Sequence, residues 1–210
     1  FYYIQDGEQV PAILREEFSC LNNLVANNAT LEFIPNGDIS ATCLNELDYV
    51  NKKFVIGNIV GGREVSVLLE FKFTNNTALG SLFNLGKINL SYTNTEGKIE
   101  METIDLNYHT VSDEAFATEV VNEEINVQTT ILDIAKQQKL AKEAMKKGDR
   151  ESAYGILKGS VLTASAHAGD ARVAGSISAV NSLMDSGGEY SNEAMSKMLN
   201  SMSYNTRNSK

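Results

Sequence analysis

Apolar and polar positions along the chain follow two different periods, one before and one after about residue 112. From about residue 28 to 111 the apolar runs are short: ATLEFI, KKFVIGNIV, REVSVLLEFKF, KINLSYT and KIEMETIDLNY, each rich in β-branched or aromatic residues. In the third run Val65, Val67, Leu69, Phe71 and Phe73 alternate with Glu64, Ser66, Glu70 and Lys72, the pattern of a strand with one buried and one wet face. Turn chemistry separates the runs: Pro35-Asn36-Gly37-Asp38, Gly61-Gly62, Thr74-Asn75-Asn76 and Asn94-Thr95-Glu96-Gly97. The last lies between two alternating runs and predicts a hairpin with Gly97 at a positive-φ position. Six or seven strands with no helix between them predict an antiparallel sandwich rather than a parallel sheet.

Beyond Ser112 the period becomes helical. Ser112 is a suitable N-cap, and Asp113 and Glu114 suit a helix N-terminus. Phe116, Val120, Val127, Ile131, Ile134, Ala141 and Met145 then recur at three, four or seven, with Glu124 and Gln138 filling the remaining places of the stripe. Lys146-Lys147-Gly148 ends this helix. A second helix starts near Asp149 and carries Ala153, Ile156, Leu157, Val161 and Leu162. A third follows Gly169-Asp170 and breaks at Gly187-Gly188, before a short final segment from Ala194 to Leu199. The tail SMSYNTRNSK lacks periodicity and is expected to fray. Short connections predict antiparallel neighbours, and with no 34-residue repeat the Gly148-Asp149 turn is expected to close a plain helical hairpin.

Composition narrows the possible functions. The 210 residues, 42% hydrophobic and 21% charged, suffice for a buried core. Net charge is −9, which argues against nonspecific phosphate-backbone binding. Residues 1–112 carry 14 acidic and 7 basic side chains (−7) and residues 113–210 carry 13 and 11 (−2), so the strand-rich half is the acidic one. No apolar run reaches the ~20 residues of a membrane span. The opening FYYIQDGEQV has neither initiator Met nor the basic and apolar regions of a signal peptide, as expected of a fragment, and a cytoplasmic setting is favoured over secretion.

The chemical inventory is thin. Cys20 and Cys43 cannot build a disulfide scaffold or a structural zinc site and are expected as buried thiols. His109 and His167 have no carboxylate or Cys at ligand spacing. Asp38, Ser40 and Thr42 spell D-x-S-x-T, which resembles the metal-coordinating D-x-S-x-S of von Willebrand factor A domains, but it leads into a strand pattern, whereas the motif of that family opens a helix. Neither a nucleophile elbow nor a phosphate-binding glycine loop occurs. Asn28, Asn75 and Asn89 begin glycosylation-type triplets of the kind that an Asn- and Thr-rich chain produces by chance. No catalytic, cofactor or metal residue is assigned. The singled-out residues are structural turns: Gly57, Gly61, Gly62 and Glu64, the hairpin glycine Gly97, and Gly148 with Asp149.

Several segments in order resemble the region that follows the von Willebrand factor A domain in multidomain proteins. FYYIQDGEQVPAILREEFSCLNNLVANN looks like the exit of that domain. LEFIPNG, IGNIVGGREVSVLLEFKF and LSYTNTEGKIEMETIDL resemble the β-sandwich behind it, and EVVNEEINVQTTILDIAKQQKLAKEAMKKGDRESAYGILK resembles the closing helical hairpin. The tail EAMSKMLNSMSYNTRNSK resembles that of plant RING-finger proteins with this domain, or the segment leading to a Hint-like module. The resemblance implies an α+β chain: residues 1–24 as the end of the A-type domain (Phe1 to Ile4 a strand, Pro11–Leu24 a helix) or else a strand and helix packed on the sandwich, 25–111 as an antiparallel β-sandwich, 112–200 as a helical hairpin or bundle, and 201–210 as a flexible tail. It implies no cofactor and no enzyme, but a scaffold that binds the adjacent A domain and other proteins, without nucleic acid or a membrane span. The alternatives are an accessory domain of a ubiquitin-ligase or Hint-type enzyme, and an extracellular adhesion module.

Overall fold

The computed structural model describes residues 10, 11, 14, 23–62, 64–74, 78–120 and 122–207. The strand expected at Phe1 to Ile4 and nearly all of the Pro11–Leu24 helix, Cys20 included, lie outside the described residues, and Leu24 opens the first strand. The chain is mixed α/β and forms two compact units divided between Val120 and Val121.

Among the described residues the first unit contains seven strands: β1 (Leu24–Pro35), β2 (Ile39–Cys43), β3 (Tyr49–Val50), β4 (Lys53–Val60), β5 (Leu69–Phe73), β6 (Leu82–Asn94) and β7 (Ile99–His109). Five form a sheet in the order β3-β4-β1-β6-β7 and two form a separate β2–β5 ladder. Every pairing among these described strands is antiparallel. The β6–β7 hairpin turns at Asn94–Gly97, where the Asn94 Oδ1 accepts from the backbone N–H groups of Glu96 and Lys98, each at 3.0 Å. Gly97 has φ 77°.

Inward alternation holds along β5, where Leu69, Phe71 and Phe73 are half-buried and Glu70 and Lys72 exposed. Its rings meet those of the larger sheet: Phe71 lies edge-on to Phe33 at 5.0 Å, and Phe73 lies 5.9 Å from Phe83 and 5.2 Å from Tyr108. The strand is shorter than its alternation predicted, because Glu64–Leu68 has no ladder partner and Val65 stays exposed. Asn45 occupies that stretch instead, its Oδ1 accepting from Leu68 N–H at 2.7 Å and its Nδ2 donating to Ser66 C=O at 2.9 Å.

The second unit is helical, with α2 (Glu123–Lys146), α3 (Arg150–Ala164), α4 (Ala171–Ser186) and α5 (Asn192–Arg207); the one-turn α1 (Asp113–Phe116) precedes it. Asn122 caps α2, accepting from the N–H groups of Glu124 and Ile125 at 3.1 and 3.4 Å. Val127, Ile131, Ile134, Gln138, Ala141 and Met145 form the buried stripe of α2, and Leu132 and Ala135 bury a second side. The helix therefore packs against both α3 and α5. Ala153 and Leu157 of α3, Val173 and Val180 of α4, and Met195 and Leu199 of α5 complete the core.

Two helical expectations are corrected. Residues 112–146 are not one helix: α1 stops at Phe116, and Phe116 and Val120 are 72% and 93% exposed despite matching the stripe. The last segment does not fray after Leu199: α5 continues to Arg207, burying Ser203 and Thr206, and the Ser203 hydroxyl donates to Ala135 C=O at 2.8 Å. No described helix is long and apolar enough to cross a membrane.

Candidate functional site

The turn residues singled out in the sequence fall in three places. Gly57 lies inside β4 at φ 89°, opposite the register shifts of β1; Gly61 and Gly62 follow that strand, with Gly62 at φ 76°; Glu64 is exposed just beyond. Gly97 closes the β6–β7 hairpin. Gly148 and Asp149 join α2 to α3.

The α2–α3 joint is built by two interlocking motifs. Gly148 N–H donates to Met145 C=O and Asp149 N–H to Ala144 C=O, both at 3.0 Å, with Gly148 at φ 82°, which closes α2 by the two crossed bonds of a Schellman turn. Asp149 then caps α3, its Oδ1 accepting from Ser152 N–H at 3.0 Å. Bonds to the side chain and backbone of Ser152 hold the Asp149 carboxyl below the usual carboxylate range.

A charged clamp that sequence reasoning missed ties the start of α2 to that of α4. Arg172 donates to both Glu124 oxygens, each at 2.8 Å, and to the Asp170 oxygens at 3.1 and 2.9 Å. Asp170 also accepts from Arg172 N–H at 2.8 Å, capping α4. Bonds to Arg172, assisted for Glu124 by Gln128, pull the Glu124 and Asp170 carboxyls down to about 2, and the guanidinium is held still more firmly protonated. The neighbouring His167 Nδ1 lies 3.4 Å from Glu123 Oε1. Glu124 sits at a stripe position and Arg172 lies 48 residues away, so no local spacing signals the pair.

The sign of the resulting pH dependence follows from these values. Carboxylates with ordinary values of 4.5 and 3.8 held near 2 in the fold contribute stability that is complete above about pH 4.5 and lost as pH falls toward 2. Thermal melting of the helical signal should therefore fall in midpoint between about pH 5 and about pH 2. Arg172→Gln should lower the midpoint at neutral pH by several degrees and flatten that slope. An unchanged slope in the variant would show that the clamp does not couple folding to protonation.

Ser40 and Thr42 project from the exposed side of β2, Ser40 donating weakly to Lys72 C=O at 3.4 Å, so D-x-S-x-T sits on a strand. Cys43 is a half-buried free thiol on the same strand, 3.9 Å from Asn45 Oδ1. His109 ends β7 at the surface. Asn89 lies within β6 and accepts from the Thr103 hydroxyl at 2.8 Å.

Among the described residues, β7 forms an exposed edge. It ends the order of described strands in its sheet, runs for 11 residues, and exposes Ile99, Met101 and Ile104 by 81%, 63% and 62%, interspersed with Glu100, Glu102 and Asp105. A long edge strand with exposed apolar side chains is the type that folded proteins ordinarily cover or blunt with charge.

At the level of fold the chain is von Willebrand factor A-like. It is similar to a von Willebrand factor type A protein from Catenulispora acidiphila, with TM-score 0.68 and 11% identity over 95% of this chain and 51% of that one. It is also similar to the ArnB paralog VWA2 from Sulfolobus acidocaldarius, with TM-score 0.54 and 16% identity over 99% of this chain and 48% of that one. The chain thus spans about half the length of the solved structures it matches, and at these identities the likeness is one of fold. No protein-family model and no curated protein matches the sequence. The comparison supports the von Willebrand factor A likeness but not the finer position behind an A domain expected from the sequence.

Proposed function

We propose that the chain is a non-enzymatic protein-interaction module that packs against a von Willebrand factor A domain of the same polypeptide and scaffolds further protein contacts. The observation that carries the reading is the extent of the match: almost the whole chain corresponds to only half of each solved von Willebrand factor A protein, leaving a second half as its companion. The antiparallel pairing of the described strands supports assigning this chain to the part outside the A domain's nucleotide-binding-type sheet. In this reading the β2–β5 ladder and the five-stranded sheet are the two layers of a β-sandwich, as the Phe33–Phe71 and Phe73–Phe83 contacts favour, and α2 and α3 are its companion helical hairpin. The acidic, apolar edge of β7 is the surface assigned to the A domain.

Calorimetric titration of this chain with the separately purified A domain of its polypeptide tests the reading. Saturable binding at about micromolar affinity is expected. Joint replacement of Ile99 and Ile104 by Asp should weaken it by at least about tenfold, as for apolar residues central to an interface. Absence of heat and of a complex, or binding indifferent to these substitutions, would overturn it.

A further inference from the structure

We propose that the cleft between α2 and α5 is a binding site for a small phosphate monoester. A cavity of about 250 Å³ is lined there by Lys139 and Lys142 of α2 and by Asn200, Ser203, Tyr204 and Arg207 of α5. The α5 residues recur at three, four and seven, one stripe of that helix, and the two lysines are three apart, one ridge of its neighbour. Three cations and three uncharged polar side chains therefore converge on one concavity, and none of its described lining residues is Asp or Glu. That concentration stands out in a chain of net charge −9.

The walls are pre-positioned. Lys142 keeps its side chain only 13% exposed, and its ammonium donates to Asn200 Oδ1 at 3.1 Å and lies 3.3 Å from Glu143 Oε1. The Ser203 hydroxyl is tied to Ala135 C=O, and Lys139, Tyr204 and Arg207 each hold further protein interactions. Side chains fixed in this way lose little freedom on meeting a ligand. The lining chemistry matches a phosphate dianion: a guanidinium fork for two oxygens, ammonium point charges for the remaining charge, and an amide and hydroxyls for an ester oxygen or a polar remainder. The volume equals that of roughly eight waters, at about 30 Å³ each, enough for a phosphate and a few further heavy atoms but small for a dinucleotide.

The test is calorimetric titration of the whole chain at low salt with inorganic phosphate and with glycerol phosphate, using acetate at matched ionic strength as the control. Saturable binding is expected for both phosphates, tighter for the ester, at about millimolar Kd or better, weakening as salt rises. Joint replacement of Lys139 and Arg207 by Gln should reduce affinity by at least about tenfold. Lys139→Arg should retain most of it, and Lys158→Gln, an exposed lysine of α3, should leave it unchanged. Circular dichroism checks that each variant keeps its helices, and Lys139→Gln alone provides the reading if the double variant does not. Unsaturable heat, equal binding of acetate, or an affinity indifferent to both Lys139→Gln and the double variant would overturn the site.

Discussion

Gly86→Ala should be among the most damaging single-methyl changes in the strand-rich unit, destabilising it by about 4 kcal/mol or preventing its folding. Gly86 is buried in β6 at φ 134°, opposite Pro35 of β1 and Leu106 of β7, where the β6–β7 register shifts. A Cβ at this position would overlap the carbonyl oxygen of Ile34 and come within 3.0 Å of Asn36 N and Pro35 Cα. All three obstacles are backbone, so no side-chain rotation relieves them. Moving β1 away would disturb its ladders with both β4 and β6, and with them the Asn36 N–H to Leu85 C=O bond at 2.9 Å. Gly97→Ala is the matched control: its φ is 77°, but nothing lies within 4 Å of the added methyl, so only the conformational cost of about 1 kcal/mol applies. Urea unfolding of the two variants beside the parent chain separates close approach from backbone strain. A Gly86→Ala variant within about 1 kcal/mol of Gly97→Ala would show that β1 and β6 can separate at that point.

The contrast between these glycines also shows what was legible in the sequence. Gly97 sits between two alternating runs in Asn-Thr-Glu-Gly, so local turn chemistry announces the hairpin. Gly86 sits among Asn84, Leu85 and Lys87 with no turn signature, because its constraint comes from a strand some fifty residues away. Gly148-Asp149 was legible for the same local reason as Gly97: lysines, glycine and a capping carboxylate occur in sequence. The break after α1 was not, because Phe116 and Val120 keep the apolar period while Asn122 followed by two glutamates supplies the stronger N-cap. The full length of α5 was hidden because its buried stripe includes Ser196, Ser203 and Thr206, which a count of apolar residues passes over. The α2–α5 cleft was not legible, because Ser203, Tyr204 and Arg207 lie in the part of α5 beyond the expected final segment.

Gln138→Met should stabilise the helical unit by about 2 kcal/mol and raise its melting midpoint by about 10 °C. Gln138 has no solvent exposure, and neither its Nε2 nor its Oε1 has a hydrogen-bond partner. It lies in the α2 stripe between Ile134 and Ala141, both members of the apolar core. Folding strips water from both amide atoms and returns no bond, whereas a thioether of similar length fills the same space without that penalty. Gln138→Glu sharpens the test: a carboxylate without a partner at this depth should destabilise the unit strongly above pH 5 and less in acid, where it can be neutral. Thermal melts of the three proteins at neutral and acid pH decide between the cases. Loss of stability in Gln138→Met would mean that the amide is hydrogen-bonded in solution, and a buried water would be the first candidate for its partner. A gain would mean that the glutamine is retained for something other than stability. Because α2 is buried against both α3 and α5, a single polar site midway along it penalises sliding of either neighbour that would seat the amide against a more apolar surface. Its position beside Lys139 makes that register consequential, since the facing stripes of α2 and α5 must stay aligned for Lys139, Lys142, Asn200 and Arg207 to share one cleft.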